Sequence, residues 1–264
     1  MKKGIVFLLI IMIICVGSLF FSATVWKNKI QKASEISPGK TVVSKEDLSG
    51  SKDSKLEDED FQLLLENSLS KTVIPEVKDL FMNRFSKNEE VKILLIGSEP
   101  MKPVSENFSK KIRDTFQDRV TVDEVTSDLT STDFVNQEMN EIDWSKEYDI
   151  VLYESFTLKN NGLVVIEQEH EDLLSVQAKA LESNEQTIVY VTPPHPIYKP
   201  NYYQTQITSL ENFTRDRDIL YINHWPDWPP TDSDEILNYV DEDNVMTDKG
   251  IDVWSDALIH TFLK

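Results

Sequence analysis

The sequence predicts an α/β fold in which a parallel sheet of five strands lies between layers of helices. Its clearest element is the segment 91–100, VKILLIGSEP, where an unbroken apolar run ends at Gly97. An apolar run without polar alternation is typical of a central parallel strand that is buried on both faces. Four more short apolar segments follow, and segments with helical spacing separate them. This alternation predicts a three-layer α/β/α sandwich.

Each predicted element depends on the spacing of its apolar residues. The strands are short continuous runs, whereas the helical segments repeat apolar residues every three or four positions, as Phe108, Ile112 and Phe116 do. We expect strands at 91–97, 120–125, 149–153, 187–191 and 219–222. We expect helices at 104–116, 134–142, 163–181, 206–213 and 247–262, with Thr247 as the N-cap of the last, and further helices on either side of Pro75.

Composition excludes several classes of function. The chain has 264 residues and a formal net charge of −19, which argues against nucleic acid as a partner. Its single cysteine, Cys15, cannot form an internal disulfide or a cysteine metal cluster. Beyond residue 60, glycine occurs only at Gly97, Gly162 and Gly250, so there is no glycine-rich loop for a nucleotide phosphate. We therefore expect no cofactor and no metal site.

The amino terminus predicts a membrane anchor. Residues 4–25 carry no charge and have lysines on both sides, and a bilayer needs about 20 apolar residues. We assign 1–29 to a signal anchor or transmembrane helix, 30–58 to a flexible polar stalk and 59–264 to the folded domain. The small residues at 22–24 leave cleavage open.

Ser98 is the first candidate for chemistry. It directly follows the predicted first strand, at the carboxyl edge of the sheet, where open α/β sheets bind their ligands. The alternative is that Ser98 only caps the following helix.

Three motifs make the chain resemble the SGNH/GDSL hydrolase superfamily, in a divergent, membrane-anchored Gram-positive branch. They are Gly97-Ser98 after strand one, Thr192-Pro193-Pro194 after strand four, and Thr247-Asp248-Lys249-Gly250 with Trp254 in the last helix. The resemblance implies a flavodoxin-like sheet of strand order 2-1-3-4-5. It also implies that Ser98 is the nucleophile.

The chain departs from the family's pattern at two catalytic positions. The oxyanion asparagine that should follow strand three is missing, and Asn160 or Asn161 could substitute for it, together with backbone amides near Ser98. The catalytic histidine before the last helix is also missing, because Glu242-Asp243-Asn244-Val245 stands at the matching positions. A serine needs a base to attack an acyl carbon, so another histidine would have to act.

Two of the four histidines directly follow strands. These are His195 and His224, and we predict His195 as the base because strand four lies nearer to strand one in the implied order. Glu154, at the end of strand three, would orient it. The competing interpretation is that each histidine pins its proline-rich loop by hydrogen bonds.

The predicted function is that of a cell-surface esterase or O-acyltransferase acting on acyl groups of an envelope or capsular polysaccharide. Aromatic side chains in the same loops suit a saccharide: Tyr198, Tyr202, Trp225 and Trp228. The alternative is a catalytically degenerate relative that binds a glycan or an assembly partner. A third option is glycosidase-type chemistry by Glu154 with Glu99.

We predict that the chain stays in the cell membrane as a single-pass protein, with its carboxyl-terminal domain outside. The apolar run exceeds the core of a signal peptide, which is about 7–15 residues long. Protease treatment of intact cells should therefore remove the domain, as an antibody to the domain can detect. Survival of the domain until the cells are lysed would mean that the orientation is reversed.

Overall fold

The computed structural model describes residues 62–264. The predicted anchor at 1–29 and stalk at 30–58 lie outside this range, so both stay predictions. Between residues 62 and 264, no helix combines the length and the apolar character of a membrane-spanning segment.

Five parallel strands form one sheet in the order β2-β1-β3-β4-β5, which confirms the predicted order. The strands are β1 (Val91–Ser98), β2 (Val120–Ser127), β3 (Ile150–Glu154), β4 (Ile188–Thr192) and β5 (Leu220–Tyr221). The first strand is central, and it pairs along eight residues with β2, from Val91 opposite Val120 to Ser98 opposite Ser127. All five carboxyl ends therefore meet at one edge of the sheet.

From residue 75 to residue 264, seven α-helices connect the strands or flank them. They are α1 (Pro75–Ser86), α2 (Lys102–Phe116), α3 (Ser131–Gln137), α4 (Thr157–Asn160), α5 (Ile166–Ser183), α6 (Tyr203–Arg215) and α7 (Asp248–Phe262). A further helical segment occupies 62–68. The predicted helix at 134–142 ends early, at Gln137, and its start is set by Thr130, whose side chain accepts a hydrogen bond from the Asp133 N–H. The one-turn helix α4 was not predicted.

The sheet separates two hydrophobic cores. Because successive side chains of a strand point to opposite faces, Ile93 and Leu95 join the core beneath α1, α2 and α7, whereas Leu94 and Ile96 join the other. The second core lies beneath α3, α5 and α6. The unbroken apolar run of β1 is thus explained by burial on both faces.

The motif at the start of α7 serves packing. Thr247 occupies the N-cap position, as predicted, but its hydroxyl donates to the Asn238 carbonyl and does not cap the helix. Gly250 allows a close approach, because a Cβ there would lie 2.3 Å from the Tyr239 carbonyl oxygen and 3.1 Å from the Trp228 ring. The next turn of the helix places Trp254 in the core.

An ion pair ties α1 to the amino edge of the sheet. The Arg84 guanidinium donates twice to Asp149 Oδ1, at 3.0 and 2.6 Å, and the other carboxylate oxygen accepts the Lys92 N–H at 2.9 Å. Asp149 is buried, whereas Arg84 reaches solvent and also pairs with the exposed Glu89. Asp149 therefore joins the start of β1, the start of β3 and α1.

Replacing Asp149 by alanine should destabilise the domain by about 2–4 kcal/mol, because the change strands the Lys92 N–H and removes the partner of a half-buried arginine. The measurement is urea-induced unfolding. As a matched control, Glu89→Gln removes the exposed partner of the same arginine and should change the unfolding midpoint little. Equal midpoint shifts in the two variants would mean that the buried ion pair contributes no more to stability than the exposed one.

Candidate functional site

Ser98 is the last residue of β1, and its side chain is sealed inside the domain. The residue is fully buried, and its hydroxyl interacts with the Glu154 carboxylate without reaching the geometry of a regular hydrogen bond. The alternation of the strand puts Ser98 on the same face as Leu94 and Ile96, over the second core. The next residue, Glu99, is the first one exposed at the end of this strand.

The Glu154 carboxylate joins the ends of β1 and β3. One oxygen accepts the Ser98 N–H at 2.6 Å, and the other accepts the Phe156 N–H at 2.8 Å. Phe156 adopts a left-handed conformation, with φ of 59°, in the turn after β3. Gly97 makes room for this contact, because a Cβ there would lie 3.0 Å from the Glu154 Cβ and 2.5 Å from the Met101 sulfur.

These contacts define the electrostatics of Glu154. Complete burial raises the pKa of this carboxyl, and the hydrogen bonds from Ser98 and Phe156 partly oppose that rise. Both oxygens are used by backbone N–H groups, and neither bonds to a histidine within the described part of the chain. The predicted contact from Glu154 to His195 is therefore not formed.

His224 uses both ring nitrogens to hold loops together. Nε2 lies 2.8 Å from the Pro193 carbonyl oxygen, so it carries the proton, and Nδ1 accepts the Trp228 indole N–H at 2.8 Å. The ring stacks on Trp254, with centroids 4.8 Å apart. Burial lowers the pKa of His224 to about 3, which keeps it neutral. This geometry is that of a loop-pinning histidine.

His195 has one ring nitrogen without a partner. Nε2 lies 2.9 Å from the Asn244 carbonyl oxygen, and because a carbonyl only accepts, Nε2 must carry the proton. Nδ1 then presents a lone pair, and it is buried with no hydrogen-bond partner between residues 62 and 264. Burial lowers the pKa of His195 to about 4, against the effect of the Asn244 carbonyl. Asn244 tolerates the left-handed conformation, with φ of 62°, that this contact requires.

The loop after β4 is held by side chains that bind its carbonyl groups. His224 donates to the Pro193 oxygen, the Trp225 indole to the Pro194 oxygen, and the Tyr203 hydroxyl to the His195 oxygen, each at 2.8 Å. Prolines cannot donate to a neighbouring strand, so a proline-rich segment leaves the sheet and relies on such contacts.

Asn160 belongs to a buried polar network beside α5. Its amide oxygen accepts the Ser131 N–H at 2.9 Å, and its nitrogen donates to the Ser131 hydroxyl at 3.0 Å and to Glu169 at 2.8 Å. Both amide hydrogens are therefore used. Asn161, the other oxyanion candidate, is exposed.

Two carboxylates lie at the centre of this network. Glu169 also accepts the Thr157 hydroxyl at 2.6 Å, and Asp172 accepts the hydroxyls of Ser131 and Thr132, each at 2.7 Å. Burial raises the pKa of Glu169 to about 7, although its hydrogen bonds oppose the rise. A sequence signal for these residues was present, since Glu169 and Asp172 share a helix face with Leu173, Val176 and Ala180.

The four predicted aromatic residues lie in different surroundings. The Tyr198 hydroxyl donates to Asp234 at 2.7 Å, while Tyr202 is exposed. Trp225 is partly exposed, and it lines a surface cavity of about 600 Å³ together with the edge of the buried Trp228. The structure thus brings together two of the four, the tryptophans.

A second cavity, of about 500 Å³, lies at the carboxyl edge of the sheet. We call it the carboxyl-edge cavity, and its lining residues are Glu99, Pro100, Pro103, Leu158, Lys159, His195, Asp243, Asn244, Val245, Met246 and Ile251. It combines an apolar lining with few charged groups, as ligand sites do. It receives residues from the ends of β1, β3 and β4, which is where parallel sheets bind ligands. Ser98 does not line it.

Two parts of the cavity lining, Lys159 and the loop at 241–245, are held by contacts with neighbouring acidic side chains. Lys159 forms an ion pair with Asp128, so its charge is compensated. The side chain of Asp241 stabilises the loop at 241–245, because it accepts the N–H groups of Asp243 and Val245, each at 2.9 Å.

Between residues 62 and 264, no group of three or more histidine, cysteine or acidic side chains is arranged to bind a metal ion.

The strand order and the carboxyl-edge cavity together define a flavodoxin-like α/β domain. Comparison with solved structures identifies proteins that share this fold. A G-D-S-L-family protein from Desulfitobacterium hafniense DCB-2 superposes with a TM-score of 0.52 at 15% identity, over 65% of this chain and 99% of that one. An acetyl esterase mutant with an acetate ion superposes with a TM-score of 0.52 at 10% identity, over 64% of this chain and 94% of that one. A carbohydrate esterase of family 3 from Talaromyces cellulolyticus superposes with a TM-score of 0.51 at 10% identity, over 64% of this chain and 94% of that one.

The chain therefore resembles the SGNH/GDSL hydrolase superfamily in fold, which confirms the predicted resemblance. No family model matches the chain, and no curated protein matches it.

Glu169 should make stability depend on pH. The folded protein holds this proton more tightly than the unfolded chain, so its contribution is complete below about pH 4.5 and is lost as the pH rises to about 7. We expect the loss to reach roughly 3 kcal/mol and to be absent from Glu169→Gln. Urea unfolding at several pH values measures it. The exposed Glu167→Gln on the same helix is the control, and parallel curves for all three proteins would contradict the assignment.

Proposed function

We propose that the domain binds a glycan of the cell envelope without hydrolysing it, from a membrane-anchored position outside the cell. The observation that carries this proposal is the burial of the Ser98 hydroxyl, which lies outside the carboxyl-edge cavity. A serine hydrolase needs an accessible hydroxyl beside a base. Here the Nε2 atoms of both strand-end histidines are occupied by carbonyl groups of Asn244 and Pro193.

The other predicted catalytic groups, Asn160 and Glu154, are also engaged in structural contacts, which supports a binding function over hydrolysis. Asn160 uses both amide hydrogens within the buried network, and Glu154 uses both oxygens on backbone N–H groups. Glycosidase chemistry by Glu154 with Glu99 is disfavoured for the same reason, because Glu154 is fully buried. The ligand position of this class of fold is still occupied by a cavity, whose lining is largely apolar and includes two carboxylates.

A second candidate is the esterase or O-acyltransferase acting on acyl groups of an envelope or capsular polysaccharide. One observation favours it: the Ser98 hydroxyl is buried beside the Glu154 carboxylate without a regular hydrogen bond to it, which is uncommon for a purely structural hydroxyl. A displacement of the segment after β1 would expose it. The names of the compared structures, an acetyl esterase and a carbohydrate esterase, agree with this candidate.

The first test separates the two candidates by labelling. For the binding module, the full chain in detergent should not react with a serine-directed fluorophosphonate, and Ser98→Ala should bind envelope polysaccharide with unchanged affinity. Labelling at Ser98, together with hydrolysis of small acetyl esters that Ser98→Ala abolishes, would establish the esterase instead.

The second test locates the binding site. Val245 lines the carboxyl-edge cavity and is 60% exposed, whereas Leu163 is 77% exposed and lies outside it. Val245→Arg should weaken binding of envelope polysaccharide at least tenfold, and Leu163→Arg should leave it unchanged. Because both changes add the same charge to an exposed apolar position, equal effects would remove the cavity from the proposal.

A further inference from the structure

Trp225 and Trp228 line a surface cavity of about 600 Å³, which we call the tryptophan cavity. Its lining comes from two stretches at the carboxyl edge of the sheet, residues 196–204 after β4 and residues 225–232 after β5. The carboxyl-edge cavity receives residues from the ends of β1, β3 and β4. Because the strand order is β2-β1-β3-β4-β5, the two cavities follow one another along this edge from β1 to β5.

Consecutive residues of one loop separate the two cavities. His195 lines the carboxyl-edge cavity, and Pro196 lines the tryptophan cavity. Side chains bind the carbonyl groups of this loop, and the Lys199 N–H donates to the Thr231 carbonyl at 2.9 Å, which joins the two stretches around the tryptophan cavity. With strands about 4.8 Å apart, the three intervals from β1 to β5 span roughly 14 Å. The edge therefore offers an elongated surface that is already formed.

The partly exposed Trp225 ring is held in a fixed orientation. Its indole N–H donates to the Pro194 carbonyl at 2.8 Å, and its ring packs on the buried Tyr203, with centroids 5.8 Å apart. The Trp228 indole N–H is also used, because it donates to His224 Nδ1. Both tryptophans therefore present carbon surface to a ligand, and no further ordering of these rings is needed on binding.

The rim of the tryptophan cavity carries polar side chains that are available to a ligand. Asn201, Gln204 and Asp232 are exposed, and their side chains make no hydrogen bond within residues 62–264. Amide groups both donate and accept, and carboxylates accept at two oxygens, so these groups can bind adjacent hydroxyls. A carbon surface with such a rim matches a sugar ring, which has an apolar C–H face and hydroxyls around its edge.

From this arrangement we infer that the two cavities bind one glycan chain of several sugars, which crosses the loop at 195–196 and stacks on Trp225. This inference rests on the proposed glycan-binding function, and it adds the length of the bound chain and the path that it follows. A single terminal sugar would occupy one cavity only. A longer chain gains contacts in both cavities without losing its freedom of motion a second time.

A proline-rich peptide is the other ligand that aromatic cavities bind, as an extended polyproline helix. The backbone carbonyls of such a helix have no internal hydrogen bonds, so the peptide gains most where the aromatic residues also donate. Here both indole N–H groups are already bound inside the domain. The glycan is therefore favoured, and decaproline serves as the competing probe.

The dependence of affinity on chain length is the first test. Fragments of two and six sugars, prepared by partial acid hydrolysis of one envelope polysaccharide, are titrated into the full chain in detergent by calorimetry. We expect the hexasaccharide to bind at least tenfold more tightly than the disaccharide. Trp225→Ala should remove this advantage and change disaccharide binding less than twofold, because the disaccharide still occupies the carboxyl-edge cavity. Equal affinities of the two fragments for the unaltered chain would overturn the inference.

A second variant leaves the contact from Trp225 to Pro194 intact. Gln204→Ala combined with Asp232→Ala removes two exposed rim groups and should weaken hexasaccharide binding at least fivefold. Gln186→Ala combined with Asp114→Ala removes the same groups at exposed positions outside both cavities, and should change binding less than twofold. Equal losses in the two double variants would contradict the role of the rim.

The outcomes separate this inference from the proposed function. If neither the polysaccharide nor its fragments bind, the proposed function fails and this inference fails with it. If both fragments bind equally and Val245→Arg weakens both, the function stands and the extended chain is wrong. We expect no binding of decaproline, and tight binding of decaproline that Trp225→Ala abolishes would assign the tryptophan cavity to a peptide.

Discussion

The site depends on one buried carboxylate, that of Glu154. It accepts backbone N–H groups from the end of β1 and from the turn after β3, so it fixes the relative position of the two central strands at their carboxyl ends. A buried carboxylate is tolerated only when hydrogen bonds compensate for lost hydration, and this one obtains them from the backbone. Glu154 is thus part of the frame of the site, and the neighbouring Ser98 is held with it.

The fold could be predicted because its signals are local and repeated. The unbroken apolar runs of β1, β3 and β4 reflect burial on both faces, and their order in the chain permits few topologies. The helix ends were predicted less accurately, because they depend on single contacts such as the hydrogen bond to the Thr130 side chain at the start of α3. The short helix α4 could not be predicted, because four residues carry no helical period.

The site was predicted only in outline. The sequence placed Ser98 and His195 at the carboxyl edge of the sheet, where both lie, but β1 continues one residue further than expected. That single residue turns the Ser98 side chain into the core and leaves Glu99 at the cavity, because side chains alternate along a strand. The Nε2 atoms of His195 and His224 both bond to backbone carbonyls, and no sequence pattern identifies those.

The loop from Pro193 to His195 has a thermodynamic consequence. Its three carbonyl groups are already bound by side chains of Tyr203, His224 and Trp225, so its conformational entropy is lost when the protein folds. A ligand in the carboxyl-edge cavity, which this loop helps to line, meets a preformed wall and has little loop ordering to compensate. Association at this wall of the cavity should therefore follow collision frequency and solvent viscosity, as for a rigid receptor, without a slow rearrangement step.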